Sequence, residues 1–330
     1  MTPTLTCPYA PDATVPGTLP GESPSFMKAS IVMATYNRND LLAQTLQGMA
    51  DMDTAGLDWE VVLTDNAGND ETARVAESFA DSLPLKFLVE TAPGKNNALT
   101  TALKHTTGDL YIFTDDDIVP DPAWIKSLLE AAGRWPDADL FGGRILPKYP
   151  EGTSAPVIDD PVFMRIAFVI ADWDLEEGEF PAGKIWGPNM MVRRRVFDQG
   201  MSFNTSIGPT GKSYVMGSET EFLLRASDAG YTAVYVPTAL VYHQIRSEQL
   251  DHAWIRGRAF RVGRGLAYHD ENTPVLKVKK WMLRELATLY TRYLYTSVTA
   301  TETETLQHAI RFHKMRGHIY QCYKGRRQGS

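Results

Sequence analysis

The sequence predicts an α/β protein with a mainly parallel central sheet flanked by helices and a helical C-terminal region. The main observation is a repeated unit in which a short apolar run precedes a loop and then a stretch with helical apolar spacing. Composition agrees, because 330 residues with 43% hydrophobic and 22% charged residues suffice for one large domain plus an appended part. The charge changes near residue 250: residues 1–250 carry 18 Lys and Arg against 34 Asp and Glu, and residues 251–330 carry 15 against 6.

The predicted elements follow in order along the chain. Residues 1–26 hold several prolines and no apolar periodicity, which predicts a flexible extension before a main domain over residues 27–250. Apolar runs predict strands at residues 29–34, 59–64, 85–90 and 110–114. Helical spacing follows the first three of them, over residues 41–49, 71–79 and up to residue 103. In such a sheet, ligands bind at the carboxyl ends of the strands.

The expected compartment follows from cysteine use and hydropathy. No run reaches the roughly eighteen apolar residues of a membrane span, and the N-terminus lacks the basic and apolar segments of a signal peptide. Cys7 and Cys322 are the only cysteines, which suits a reducing compartment and excludes a cysteine-based zinc framework. A cytoplasmic protein is therefore expected.

The basic C-terminal region, residues 251–330, contains an amphipathic stretch at residues 275–298. Apolar and aromatic side chains such as Trp281 and Leu294 recur there at near-helical spacing among lysines and arginines. Two interpretations stay open: a helix on an anionic membrane surface, at its inner face, or a helix packed on the main domain with a solvated basic face. Nucleic acid is not an expected partner, because no recognisable nucleic-acid module accompanies the charge.

Three consecutive carboxylates, Asp115, Asp116 and Asp117, follow the fourth predicted strand. Like charges placed side by side repel one another, so a fold retains them at low cost when a cation or its ligands neutralise them. Asp115 and Asp117 offer hard oxygen ligands to a divalent ion such as Mn²⁺ or Mg²⁺. The alternative is a solvated acidic turn.

Complementary side chains are predicted at the same edge of the sheet. Asp65 can accept the N–H of a nucleobase, and Arg38 and Lys95 can balance phosphate charge, so a diphosphate is the simplest ligand that uses all of these groups. Asp65 as a helix cap and Lys95 as a surface lysine are the simpler alternatives. The sequence contains no G-x-x-x-x-G-K-S/T loop, which excludes a P-loop NTPase, and no dinucleotide fingerprint, which argues against an oxidoreductase.

Seven motifs between residues 28 and 265 resemble those of the family 2 glycosyltransferases, in the family's order and spacing. They read Ser30-Ile-Val-Met-Ala-Thr-Tyr-Asn-Arg38, Val62-Leu-Thr-Asp-Asn66, Gly94-Lys-Asn-Asn-Ala98, Thr114-Asp-Asp-Asp117, Gly187-Pro-Asn-Met-Met-Val-Arg-Arg194, Gly217-Ser-Glu-Thr-Glu-Phe-Leu-Leu-Arg225 and Val241-Tyr-His243. The fourth is similar to the family's D-x-D signature. The resemblance implies a GT-A fold with a Rossmann-like sheet, a nucleotide-binding half over residues 27–120 and an acceptor half over residues 121–250.

The resemblance also implies an activity. Such enzymes move a sugar from a nucleotide-diphosphate sugar to an acceptor hydroxyl with inversion at the anomeric carbon. A metal-dependent transferase that uses a UDP sugar is therefore expected, with a glycan, glycolipid or other hydroxyl compound as acceptor, in surface polysaccharide or glycoconjugate synthesis. Two other classes stay open: a non-catalytic nucleotide-sugar binder, and a sugar nucleotidyltransferase, which would need a glycine-rich basic loop where residues 34–37 stand.

Carried over residue by residue, the resemblance assigns the donor site. The residues expected around the nucleotide sugar are Ala34, Thr35, Arg38, Asp65, Lys95, Asp115 and Asp116. Among them Asp65 would hold the base, Asp116 would touch the ribose or sugar, and Lys95 stands where the family often has Arg. The expected metal ligands are Asp117, Asp115 and His243, whose imidazole suits a transition metal.

The expected general base is Glu219. The family usually reads Gly-Glu-Asp where this chain has Gly217-Ser218-Glu219, so Glu219 takes the place of the catalytic Asp, and Glu221 is the alternative. A helix is expected to begin here with Ser218 as its cap, and both glutamates could instead complement the helix dipole.

Two further assignments concern the surroundings of the donor. Trp186 and Asn189 would border the acceptor side, although a buried core tryptophan is the alternative. His269 and residues 256–264, which are rich in glycine and arginine, are predicted to form a loop that closes over the donor.

Overall fold

The protein is described from a computed structural model. The structure describes residues 27–68, 70–209, 215–269 and 278–324. The predicted flexible extension, residues 1–26, lies outside these ranges, as do residues 275–277 of the amphipathic stretch.

The first half of the main domain contains every strand and helix that the sequence predicted there. The elements are β1 (Ala29–Thr35), α1 (Asn39–Ala50), β2 (Trp59–Asp65), α2 (Asp70–Ser78), β3 (Leu85–Val89), α3 (Lys95–Leu103) and β4 (Leu110–Asp115). The strands run parallel in the order β3-β2-β1-β4. This part of the prediction is confirmed, with ends shifted by one or two residues in most elements.

The second half extends the same sheet and makes it mixed. Its elements are β5 (Ile118–Pro120), α4 (Trp124–Arg134), β6 (Leu140–Lys148), α5 (Pro161–Phe168), β7 (Gly178–Glu179), β8 (Met190–Arg193), α6 (Arg194–Asp198), α7 (Ser218–Asp228) and β9 (Ala233–Gln244). The order continues β4-β8-β6-β9-β5, with β7 also paired to β9. β8 pairs with both β4 and β6 and runs antiparallel to each. Because it pairs with a strand of each half, it joins the two halves into one sheet.

Alternate residues of the central strands enter apolar cores on opposite faces of the sheet. Ile31 and Met33 of β1 pack in the cluster that contains Leu42 of α1, and Val32 packs in the cluster that contains Leu99 of α3. Because both faces are buried, the central strands read as continuous apolar runs rather than as alternating patterns.

The C-terminal region is helical, as predicted. It consists of α8 (His252–His269), α9 (Lys280–Thr299) and α10 (Glu302–Lys324). The predicted donor-closing loop over residues 256–264 is wrong, because these residues lie inside α8, where Ala259 and Val262 are buried in a cluster with residues of α5 and α10. Among the helices described, none is both long enough and apolar enough to cross a membrane.

Candidate active site

The register of the parallel strands brings the ends of β1, β2 and β4 to one edge of the sheet. Thr35 pairs with Asp65 across β1 and β2, and Ala34 pairs with Asp115 across β1 and β4. The chain after β1 turns at Asn37, whose φ of 51° lies in the left-handed region that Asn tolerates better than most side chains. The residues assigned to the nucleotide sugar from the sequence therefore lie side by side.

Arg38, the N-cap residue of α1, binds two of the three consecutive carboxylates. Its Nη1 donates to Asp116 Oδ1 and to Asp117 Oδ2, both at 3.0 Å. Asp116 also accepts a 2.7 Å hydrogen bond from the Thr35 hydroxyl. Both carboxylates are buried, so the guanidinium supplies the positive charge that their repulsion requires.

Asp117 also faces His243, near the end of β9. Asp117 Oδ1 lies 3.6 Å from His243 Nε2, and this oxygen is buried without a hydrogen-bond partner. His243 Nδ1 donates to the carbonyl of Phe168 at 2.9 Å, which leaves Nε2 to face the carboxylate. A carboxylate oxygen without a hydrogen-bond partner, opposite an imidazole nitrogen, forms a pair of metal ligands that fits Mn²⁺.

The pair alone is not a complete metal cage. Within the described ranges, no three His, Cys, Asp or Glu side chains are grouped to hold a metal ion. Asp115, expected to be a metal ligand, forms an ion pair with Lys95 instead. A divalent ion held by Asp117 and His243 would therefore take its remaining ligands from donor phosphates and water, as Mg²⁺ commonly does.

Burial and neighbouring charge separate the pKa values of Asp116 and Asp117. Burial has the largest influence on Asp116 and raises its pKa to about 6, against the opposing effect of Arg38. Burial would also raise the pKa of Asp117, but His243, Arg38 and Arg246 together hold it well below its usual value. Asp117 is thus ionised at neutral pH, which a metal ligand requires.

Lys95, at the start of α3, links the donor edge to the expected general base. Its ammonium group pairs with Asp115 and donates to Glu219 Oε1 at 2.7 Å. Burial alone would raise the pKa of Glu219, but Lys95 and the Ser218 hydroxyl, 2.7 Å from Oε2, hold it below its usual value. Glu219 is therefore an ionised carboxylate with both oxygens hydrogen-bonded.

The start of α7 presents Glu219 to the site. The helix begins at Ser218 and Gly217 is its N-cap, so the predicted capping role of Ser218 is wrong. A Cβ at Gly187 would lie 2.8 Å from Cγ of Glu219, so glycine is the residue that lets this backbone pass beside the carboxylate. Glu221 is instead held by Arg225, four residues along the helix, with Nε to Oε1 at 2.8 Å.

The two residues assigned to the acceptor side differ in their placement. Trp186, immediately before Gly187, is partly buried against the apolar core and lies edge-on to Trp173, with ring centres 6.2 Å apart. Asn189 is completely buried. Its amide accepts from Trp124 Nε1 and donates to the carbonyl oxygens of two other chain segments, so Asn189 anchors the loop and has no group left for an acceptor.

Sequence reasoning missed two polar residues of this region. Arg246 Nη1 lies 3.5 Å from Asp117 Oδ2, and the signal was a basic residue three positions after His243. Asn66 accepts from the backbone N–H of Gly94 and donates to two carbonyls of the loop that follows β3. It thereby connects the loop after β2 to the loop that carries Lys95.

The comparison with protein families agrees with this geometry. The sequence model of glycosyl transferase family 2 matches residues 30–200, more than half of the chain. The chain belongs to glycosyl transferase family 2. It is a glycosyltransferase, and the expectation from its motifs is confirmed.

Relatives of this glycosyltransferase support the same family. Glycosyltransferase AglE of Haloferax volcanii is 23% identical over 264 residues, which are 78% of this chain and 75% of the relative. Succinoglycan biosynthesis protein ExoM of Rhizobium meliloti is 28% identical over 242 residues, 71% of this chain and 72% of the relative. Both similarities extend over most of each chain.

Solved structures confirm the GT-A fold. The mannosyltransferase PcManGT from Pyrobaculum calidifontis, in complex with GDP-Man and Mn²⁺, matches with a TM-score of 0.58 at 18% identity, over 91% of this chain and 89% of that one. TarS of S. aureus, residues 1–349 in complex with UDP-GlcNAc, matches with a TM-score of 0.54 at 17% identity, over 90% and 91% of the two chains. At these identities the likeness concerns the fold.

Proposed function

We propose that this glycosyltransferase moves a sugar from a nucleotide-diphosphate sugar, a UDP sugar, to an acceptor hydroxyl with inversion and with a divalent cation, Mn²⁺ or Mg²⁺. The observation that carries the proposal is the pair formed by the orphaned Asp117 Oδ1 and His243 Nε2, 3.6 Å apart, beside the cations Arg38 and Lys95. Two metal-binding side chains beside two cations suit a diphosphate that is bound with a divalent ion.

The donor would lie across the strand ends. Asp65, buried at the end of β2 with Oδ1 accepting from the Ala67 N–H, would recognise the nucleobase. Ala34 and Thr35 would line the nucleotide site, and Asp116 would accept a hydrogen bond from a hydroxyl of the ribose or sugar. Thr35 already orients Asp116 through a 2.7 Å hydrogen bond.

Catalysis would need little more than a base and charge stabilisation. Glu219 would accept the proton of the acceptor hydroxyl while that oxygen attacks the sugar from the face opposite the nucleotide. A divalent ion bound by Asp117 and His243 would supply charge stabilisation to the departing diphosphate. Arg38 and Lys95 would add to it as fixed positive charges in a partly buried site. One base and one direct displacement account for inversion.

A second function has one observation in its favour. Both carboxylate oxygens of Glu219 are engaged, by Lys95 and Ser218, so a chain that binds nucleotide sugars without transferring them would have the same geometry. In the enzyme, an acceptor hydroxyl would have to replace one of these partners. Replacing Glu219 with Gln separates the two functions, because only an enzyme has transfer activity to lose.

The finer assignments of acceptor and location also belong to the proposal. A relative is named for succinoglycan biosynthesis, and we place this chain in surface polysaccharide or glycoconjugate synthesis with a glycan or glycolipid acceptor. A cytoplasmic enzyme at the inner face of the membrane fits α9, which exposes Trp281 next to Lys279 and Lys280 and exposes Tyr295 and Val298 near its other end.

The proposal is tested by thermal stabilisation of the full chain by a panel of nucleotide sugars, with and without Mn²⁺. At least one UDP sugar should raise the melting temperature in a Mn²⁺-dependent way. Asp117→Asn should abolish the dependence on Mn²⁺, whereas Asp198→Asn, at a 62% exposed carboxylate outside the site, should retain it. If no nucleotide sugar binds in the presence of metal, the assignment of the donor site is wrong.

A further inference from the structure

A cavity of about 300 Å³ lies between α8 and α10. Its lining is basic and includes Arg256, Arg261, Arg264, His313 and Arg316. None of these residues belongs to the donor site. In the described part of the chain, no carboxylate lines the cavity.

The arginines of α8 converge because they lie on one face of the helix. Lining positions 253, 256, 257, 260, 261 and 264 recur at alternating intervals of one and three residues, which is the stripe that a helix presents to one side. The opposite wall is fixed in place, since a Cβ at Gly317 of α10 would collide with the backbone carbonyl of Phe260. The two backbones therefore touch beside the cavity and hold the charges at close range.

Two arginines of the cavity form no ion pair in the described part of the chain. These are Arg256 and Arg261, and Arg261 Nε is buried without a hydrogen-bond partner. Arg264 Nε donates to Gln321 Oε1 at 3.1 Å, and its guanidinium lies 5.2 Å from the Tyr320 ring centre.

Among the residues that the structure describes, Arg316 and His313 also form no ion pair with an acidic side chain. Arg316 stacks on the ring of Phe260 at 5.1 Å, and its Nη1 lies 3.3 Å from Nδ1 of His313. Burial, and then the charges of Arg316 and Arg256, lower the pKa of His313 to about 4. His313 is therefore neutral at pH 7, chiefly through burial, with the two arginine charges acting in the same direction.

We propose that this cavity binds a phosphate or diphosphate group. Guanidinium groups bind phosphate oxygens bidentately, and several of them around one cavity match the multiple oxygens and charges of such a group. The volume lies at the lower end of the roughly 300–1,000 Å³ typical of small-molecule sites, so a phosphorylated headgroup or a diphosphate fits better than a bulkier ligand.

The first experiment measures binding of inorganic pyrophosphate to the full chain by calorimetry in EDTA, so that no divalent ion supports the donor site. The wild-type chain should bind. Arg256→Gln/Arg261→Gln should weaken binding by about tenfold or more for each charge removed. Arg74→Gln/Arg311→Gln is the matched control, because it changes the net charge equally at exposed positions outside the cavity. Equal binding by all three proteins would overturn the proposal.

A second measurement separates loss of binding from loss of folding. Because the arginines repel one another, ligand-free Arg256→Gln/Arg261→Gln should melt at or above the temperature of the wild-type chain. A clearly lower melting temperature would show that these charges are already compensated and would count against the site.

The source of the phosphate is assigned by vesicles. The chain is sedimented with vesicles of phosphatidylcholine alone and of phosphatidylcholine mixed with phosphatidate. Binding to phosphatidate that the cavity variant loses and the control keeps would identify a lipid headgroup. Pyrophosphate binding without such a difference would identify a soluble phosphorylated ligand, and failure of both probes would overturn the proposal.

Discussion

Lys95 is the residue at which the donor side and the base side of the site meet. Its ammonium group contacts Asp115 after β4 and Glu219 at the start of α7. Burial alone would lower the pKa of Lys95, but the two carboxylates raise it well above its usual value. An ammonium group can direct its donors at two separate carboxylates. Lysine at this position therefore couples donor and base electrostatically.

The role of Glu219 is tested by Glu219→Gln. The amide cannot accept a proton, so we expect the transfer rate to fall by about a hundredfold or more, while Mn²⁺-dependent stabilisation by the donor nucleotide persists. Glu221→Gln is the matched control, since it removes an i,i+4 pair with Arg225 that contributes little to stability. The assay compares sugar transfer with thermal shift. Undiminished transfer by Glu219→Gln would assign the base elsewhere, and a chain without any transfer activity would be a binder.

At this scale, sequence reasoning succeeded where a side chain directly follows a strand. Thr35, Asp65 and the acidic residues from Asp115 meet because parallel strands in register end at one edge. It did not predict the burial of Asn189, whose side-chain amide donates to carbonyls of distant segments at Arg144 and Ala239. Such contacts between residues far apart in the sequence leave no local pattern.

At the scale of elements, the parallel strands could be predicted and their partners in the second half could not. The runs that form β1 to β4 are apolar throughout, which is typical of strands buried on both faces. β8 is only Met190–Arg193, and its position between β4 and β6 depends on antiparallel pairing across about 50 to 80 residues. The density of glycine and arginine at residues 256–264 predicts a loop, and this prediction is wrong because the residues lie inside α8. In the structure, Gly263 of this stretch and Gly317 of α10 allow the two helices to touch.

The contact between α8 and α10 predicts a specific cost of adding one methyl group. A Cβ at Gly263 would collide with the backbone carbonyl of Lys314, so Gly263→Ala should lower the free energy of unfolding by about 1–3 kcal/mol through overpacking. Gly257→Ala is the matched control in the same helix. Its Cβ would meet only Arg261 Nη1 at 3.6 Å, so it should stabilise by about 0.5–1 kcal/mol through helix propensity. Chemical denaturation measures both, and equal effects would refute the close contact.

The whole molecule is electrically divided. Residues 1–250 carry a net charge of −16, from 18 basic and 34 acidic residues, and residues 251–330 carry +9, from 15 and 6. An anionic surface would attract the C-terminal helices and repel the main domain, which would orient the enzyme. α9 buries Met282 and Leu289 and half-buries Leu286 and Tyr293. The large apolar side chains that it exposes are Trp281, Leu283, Tyr290, Leu294, Tyr295 and Val298. One face of α9 packs on α10, within the C-terminal region, and another face stays exposed, so contact with a membrane and contact with the main domain both stay predictions.

The exposed face of α9 predicts reversible binding to anionic membranes. Tyr295 and Val298 are 70% and 86% exposed, and inserting each into the interface would contribute about 1.5–3 kcal/mol at most. Tyr295→Ser/Val298→Ser should therefore weaken cosedimentation with phosphatidylglycerol-containing vesicles. Val157→Ser/Val162→Ser, at side chains 67% and 64% exposed elsewhere, should not. Added salt should weaken wild-type binding by screening the basic residues. If the α9 variant binds vesicles as the wild-type chain does, the membrane contact does not involve this face.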